Sequence, residues 1–323
     1  MNRAFRTILS ALIYGKVAFC FTQYASASVK KSIPKVILDS DFSGNCDDAG
    51  ALAMLHVLAD KKELEIMGVV TSLPDPWNTA AIWAVNKYYL RPNLPIGAID
   101  APDRTFGEYS HKIAVKYASS FKKEEHVIDS VKLYYQLLSQ ANDRSVTIIS
   151  IGFFSNLAKL LQRYPSLVAA KVEKLVSMAG RFPSGLESNI YRYGLADAKF
   201  SLENWPTPVF FAGYGLRVKI RLNSKLMRGS PKENPVRFCY KELIKNDSFK
   251  YGWDQNAVLF AARGHLGRWE LSEPGQIEVL SDGSNIWTDK SDRQFYLKPN
   301  NEPKIIEDEI MNLMATPPKD FGS

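Results

Sequence analysis

The chain has 323 residues, 46% of them hydrophobic and 12% aromatic, and a formal net charge of +7. That is enough for one large α/β domain or two small ones. The basic residues are scattered, with no run of five or six, which excludes a nucleic-acid groove of the usual basic kind.

The N-terminus reads as an export signal. Arg3 and Arg6 form a positive region, "ILSALIYGKVAFCFTQ" an apolar stretch, and "ASA" at 25–27 an A-x-A cleavage site. The expectation is a signal peptide over 1–27, a mature start near Ser28, and one domain over 28–323 in a periplasmic or extracellular protein. Lys16 interrupts the apolar stretch and no run reaches ~20 apolar residues, which excludes a stable membrane span. Cys20 follows the bulky Phe19, which argues against a lipid-attachment site. Cleavage would leave Cys46 and Cys239, and their spacing allows them to be free or bridged.

Strand signals follow at "KVILD" (35–39), "LEIMGVVTS" (64–72), "LPIGAI" (94–99), "SVTIISIG" (145–152), "KLVSMAG" (174–180) and "TPVFFAG" (207–213). Helical patterns lie between them at 47–60, 77–90, 125–141, 153–163 and 195–204. Short, unbroken, β-branched runs alternating with helices predict an open, mostly parallel sheet covered by helices on both faces, with a Rossmann-like core.

In such sheets ligands bind at the carboxyl ends of the strands. There, "VILDSDFSGNCDDAGALAML" (36–55) places Asp39, Asp41, Asp47 and Asp48 within ten positions. Helix-dipole partnership accounts for Asp47 and Asp48 alone. Four mutually repelling carboxylates call for a hard divalent cation, and Ca²⁺ with oxygen ligands is the expectation.

Two enzyme families build such a loop. "DSD" satisfies the D-x-D of haloacid-dehalogenase-type phosphatases, but their second acidic pair comes much later in the chain. The stretch also resembles the D-T-D-x-G-N-D-x-D-D signature of some bacterial inosine/uridine-preferring nucleoside hydrolases, with Ser43, Gly44 and Asn45 replacing its Gly-Asn-Asp. "VVTSLPDPWN", "ISIGFFSNLAKLL", "VSMAGRFPSGLESN" and "YGWDQNAVLFAA" resemble later segments of that family in the same order.

That resemblance implies a hydrolase that cleaves the N-glycosidic bond of ribonucleosides or related N-ribosides. It implies Asp41, Asp48, Asp254 and the Ser155 carbonyl as metal ligands, with Asp41 also the base that activates water. It implies Asp47, Asn78, Glu187 and Asn189 as sugar-binding residues and Trp253 as a base-stacking ring. Asp39 is expected to orient the loop. Trp253 stands where several relatives carry a proton-donating His, leaving Tyr191, Tyr193 and His265 as substitutes. Gly215 stands where a Glu is usual. A binding protein that holds a ribosyl ligand without turnover is therefore the alternative. The expected partner is a small-molecule ribonucleoside, with homo-oligomer formation left open.

Overall fold

The computed structural model describes residues 33–42, 45–102, 104, 107–221, 224–244, 249–299 and 303–319. The chain divides into the units Met1–Ile33 and Pro34–Ser323. The expected export segment, Ser43 and Gly44 lie outside the described residues. Among those described, no helix is long and apolar enough to cross a membrane.

The strands are β1 (Lys35–Ser40), β2 (Glu65–Thr71), β3 (Ile96–Ala98), β4 (Val127–Asp129), β5 (Val146–Ser150), β6 (Val172–Ser177), β7 (Ser184–Leu186), β8 (Val209–Phe211), β9 (Val218–Arg221), β10 (Phe249–Gly252), β11 (Trp269–Leu271), β12 (Gln276–Val279), β13 (Ser284–Thr288) and β14 (Gln294–Pro299). Nine of them form the central sheet in the order β11-β14-β8-β6-β5-β1-β2-β3-β4. Every pairing in it is parallel except that of the edge strand β11 with β14. Two small antiparallel sheets, β9 with β10 and β7 with β13 and β12, stand apart from it.

Both faces of the sheet are covered, and β1 shows why the strand sequences are unbroken runs. Val36 and Leu38 enter one apolar core, beneath helices that include Asp47–Asp60 and Asp254–Arg263. Ile37 enters the other, with residues of the helices Ser130–Gln140 and Ser155–Arg163. Period-two alternation buries both sides of a strand only when every position is apolar.

All six expected strands are present. The expected helix at 125–141 begins instead at Ser130, because Asp129 accepts a hydrogen bond from the Lys132 amide (2.8 Å) and caps it. Val127 and Ile128 are thereby left extended, on the sheet edge as β4.

The chain runs outward from β1 through β2, β3 and β4, then returns to β5 on the other side of β1. The strand order therefore reverses between β1 and β5, the place where open α/β sheets form a ligand crevice. Gly152, just past β5, lets the two strand ends approach. A Cβ there would lie 2.3 Å from the Asp41 amide nitrogen.

Candidate metal and ligand site

The aspartate loop is built by alternation at the end of β1. Asp39 points to the face of Ser130–Gln140. It is fully buried and accepts hydrogen bonds from the Tyr134 hydroxyl (2.9 Å) and Asn156 Nδ2 (3.1 Å). Ser40 points the other way and donates to Asp48 Oδ1 (2.6 Å). Between them and the next helix, Phe42 adopts φ 47°, a left-handed conformation that costs a non-glycine residue roughly 1–2 kcal/mol. Its buried ring and its amide, which donates to Asp48 Oδ1 (3.1 Å), offset that cost. Tyr109 supplies a third donor, to Asp48 Oδ2 (3.1 Å).

The helix Asp47–Asp60 begins at the loop's end, so both of its first carboxylates face the crevice. Asp254 begins the late helix Asp254–Arg263. One oxygen each from Asp47, Asp48 and Asp254 lies within 4.8 Å of the others. The Asp41 carboxyl lies within hydrogen-bonding reach of Asp48. Backbone atoms stitch the two segments together. The Trp253 amide donates to Asp47 Oδ2 (3.2 Å), Gln255 Nε2 to the Asp47 carbonyl (3.2 Å), and Asn45 Nδ2 to the Tyr251 carbonyl (3.0 Å). A disulfide joins Cys46, immediately before Asp47, to Cys239 on the helix Pro235–Leu243, with Cα atoms 6.1 Å apart.

Burial pushes the Asp47 carboxyl up to about 8, and the charge of Asp48 adds to this. Desolvation first and neighbouring carboxylates second raise Asp48 and Asp254 well above the usual range. Among the described residues no Lys or Arg pairs with these three groups. A buried, oxygen-only, anionic donor set with no internal counter-charge fits a hard divalent cation, which would restore the ionised forms.

The carboxylates form the floor of a cavity of about 330 Å³, within the range that suits a small ligand. Seven of the nine expected site residues line it: Asp41, Asp47, Asp48, Glu187, Asn189, Trp253 and Asp254. Asn189 Nδ2 donates to the Met178 carbonyl (2.8 Å) and the Ile151 carbonyl (3.3 Å), leaving Oδ1 as an acceptor. Both Glu187 oxygens accept backbone amides, from Gly180 (3.2 Å) and Asn189 (3.0 Å), and burial pushes its carboxyl up to about 7. Trp253 stacks on Tyr214 with ring centroids 5.7 Å apart, and its Nε1 donates to the Tyr214 carbonyl (3.1 Å).

Two of the expected site residues stand apart from the cavity lining. Asn78 does not line the cavity. It is fully buried, and its Nδ2 donates to the Asp41 carbonyl (2.6 Å), a bond that braces the loop. Ser155 is not among the lining residues either, and its hydroxyl donates to the Ser72 carbonyl (3.1 Å). Asp47, expected on the sugar, sits with Asp48 and Asp254 in the carboxylate group. Of the substitute proton donors, Tyr193 lines the cavity, whereas Tyr191 and His265 do not. Sequence reasoning missed Tyr109, Phe153, Tyr214 and Arg192. Their local patterns are ordinary, and only the path of the chain brings them here.

The family model described as inosine-uridine preferring nucleoside hydrolase matches residues 36–194. No curated protein sequence matches the chain. Solved structures do. The inosine-uridine preferring nucleoside hydrolase from Bacillus anthracis is 16% identical, with a TM-score of 0.67 over 87% of this chain and 99% of that one. The effector protein XOO4466 is 12% identical, with a TM-score of 0.71 over 88% and 94%. The type III effector protein XopQ, complexed with adenosine diphosphate ribose, is 13% identical, with a TM-score of 0.65 over 88% and 93%. At these identities the likeness is one of fold.

Proposed function

Because the chain belongs, through residues 36–194, to the inosine-uridine preferring nucleoside hydrolase family, we propose that it is a Ca²⁺-dependent hydrolase of the N-glycosidic bond of ribonucleosides or related N-ribosides. The observation that carries this reading is the buried Asp47, Asp48 and Asp254 group, with Asp41 against it, under a ligand-sized cavity. Asp47, Asp48 and Asp254 would hold the cation. When bound, it supplies the charge that keeps these carboxylates ionised, lowers the pKa of water and grips sugar hydroxyls.

The remaining chemistry falls to the chain's own groups. Asp41 takes a proton from water as its oxygen bonds to C1′ of the ribose. The C1′–N bond breaks, and its electron pair and a proton go to the leaving base. Tyr193, which lines the cavity, would give that proton. Asn189 accepts from a sugar hydroxyl through Oδ1, and Glu187 faces the 5′ end. Trp253 and Tyr214 stack on the base. Orientation of the sugar supplies much of the rate gain.

Asp39, at the position of a phosphatase nucleophile, is buried and already doubly hydrogen-bonded, so the phosphatase alternative lacks an accessible nucleophile. The second reading, a ribosyl-binding protein without turnover, is favoured by Trp253 in place of a proton-donating His and by the fold shared with XopQ. Export belongs to the same proposal. The Cys46–Cys239 bridge suits an oxidising compartment.

The test is reducing-sugar release from the common ribonucleosides by protein with bound Ca²⁺ and by protein treated with a chelator. Release that stops on chelation and returns with Ca²⁺ is expected. Calorimetric binding without release would favour the second reading, and neither binding nor release would overturn both.

A further inference from the structure

Asp48 accepts hydrogen bonds from two different parts of the fold. Ser40 Oγ (2.6 Å) and the Phe42 amide (3.1 Å) meet Oδ1 from within the loop itself. The Tyr109 hydroxyl meets Oδ2 (3.1 Å) from 61 residues further along the chain. An ionised carboxylate has about four acceptor directions, so these three donors leave roughly one for anything that enters the cavity. Ser40 and Phe42 move with the loop they hold. Among the described residues Tyr109 is the donor that ties Asp48 to the rest of the protein.

Tyr109 is itself fixed. It is buried in the first turn of the helix Glu108–Tyr117, and its ring packs on that of Phe42 with centroids 5.7 Å apart. Further along this helix, Lys112 pairs with Glu242 (3.8 Å) and Tyr117 packs edge-on against Phe238 (5.6 Å). Glu242 and Phe238 belong to the helix Pro235–Leu243, whose Cys239 is bridged to Cys46. Two joined outer helices therefore grip the start of the acidic helix, one by a disulfide just before Asp47 and the other by a hydroxyl on Asp48. The opposite face of β1 offers a matched case. There the Tyr134 hydroxyl donates to Asp39 Oδ2 (2.9 Å), but Asp39 stands outside the carboxylate group.

We propose that Tyr109 is a positioning residue for the cation: its hydroxyl fixes the Asp48 carboxylate and thereby sets the affinity of the floor for a hard divalent ion. Tyr109 does not line the cavity, so it acts through Asp48 and meets no ligand itself. The inference rests on the metal reading of Asp47, Asp48 and Asp254. A carboxylate already held by an outer donor does not have to be ordered when the ion binds, and losing such a donor costs about 10–100-fold in metal affinity.

Calorimetric titration of metal-free protein with Ca²⁺, with no substrate present, tests this. Tyr109→Phe keeps the ring and removes the hydroxyl, and its dissociation constant should rise by about 10–100-fold. Tyr134→Phe removes a similarly buried hydroxyl from Asp39. Both variants should melt below the unaltered protein in the absence of Ca²⁺, but Tyr134→Phe should keep the unaltered affinity. Hydrogen exchange supplies a measurement that needs no variant: Ca²⁺ should slow exchange of the amides in Glu108–Tyr117. Unchanged affinity in Tyr109→Phe, an equal loss in Tyr134→Phe, or exchange in that helix indifferent to Ca²⁺ would each overturn the assignment. If the unaltered protein binds no Ca²⁺, the metal reading itself fails and this inference falls with it.

Discussion

The floor and the rim of the cavity are built on opposite principles. Asp47, Asp48 and Asp254 are 6%, 1% and 4% exposed; donors on Ser40, Phe42 and Tyr109 hold Asp48, and the Trp253 amide holds Asp47. On the rim, Tyr193 is 42% exposed and Arg192 is open to solvent. A group held on several sides in low dielectric cannot adjust without large cost, whereas an exposed side chain reorients within nanoseconds. The floor therefore sets which chemistry is open to the protein, and the rim sets which ligand reaches it.

The contrast is sharpest at Asp48. Asp48→Asn keeps the shape but removes one charge from the floor. Elemental analysis should find the metal lost, and turnover should be lost with it, because the cation's charge and its effect on water go together. Full metal occupancy in the variant would break the distinction between floor and rim. Next in size is the Cys46–Cys239 bridge. Replacing both residues with Ser should lower unfolding stability in denaturant titrations by about 2–5 kcal/mol and weaken metal binding as well. An unchanged metal affinity would mean that the floor does not depend on this brace.

Asn189 lies between the two regimes, buried yet facing the ligand. Asn189→Ala should reduce kcat/KM at least about tenfold while metal content stays at the level of the unaltered protein. A lower melting temperature with normal turnover would make Asn189 a turn-former only.

The smallest effect concerns the helix that carries the floor. His56 is fully buried, its Nε2 meets Asn86 Oδ1 (2.8 Å), and its ring stacks on Tyr89. Burial first and Arg91 second lower it from 6.5 to about 3. The unfolded chain therefore binds this proton first. Its contribution is fully present above pH 6.5 and declines by about 1.4 kcal/mol per pH unit as pH falls toward 3. Buried carboxyls with raised values, such as Glu187, act in the opposite sense over this range, so the measure is a difference: between pH 7.0 and 5.5 denaturant titrations should show the unaltered protein losing about 1 kcal/mol relative to His56→Gln.

The floor was legible in the sequence because its residues sit at strand ends and helix starts. A short β-branched run followed by clustered carboxylates is a local signal, and Asp39, Asp41, Asp47 and Asp48 share one loop. The six strands named in advance were legible for the same reason. The rim was not. Arg192 and Tyr214 belong to unremarkable segments, and Tyr193 is told from Tyr191 and His265 only by the path of the chain, which brings it to the cavity lining. The antiparallel strands β12 and β13 escape the sequence because a half-buried hairpin lacks the dense apolar runs of a covered parallel sheet. Asn78 shows a related limit. A helix-start Asn looks the same in sequence whether its amide meets a ligand or, as here, a carbonyl inside the fold.

The stitch between the two loops has a consequence for how such a protein can diverge. Residue 253 holds Asp47 through its main-chain nitrogen, and residue 251 holds Asn45 through its main-chain oxygen. Neither bond depends on the side chain. Any residue other than proline at 253 can make the first, and any residue at all can make the second. Trp253 can thus be exchanged for a histidine, or Tyr251 for a smaller ring, with the carboxylate geometry left standing. Selection can then search the aromatic wall for new ligands one substitution at a time, without passing through a form that has lost its carboxylate group.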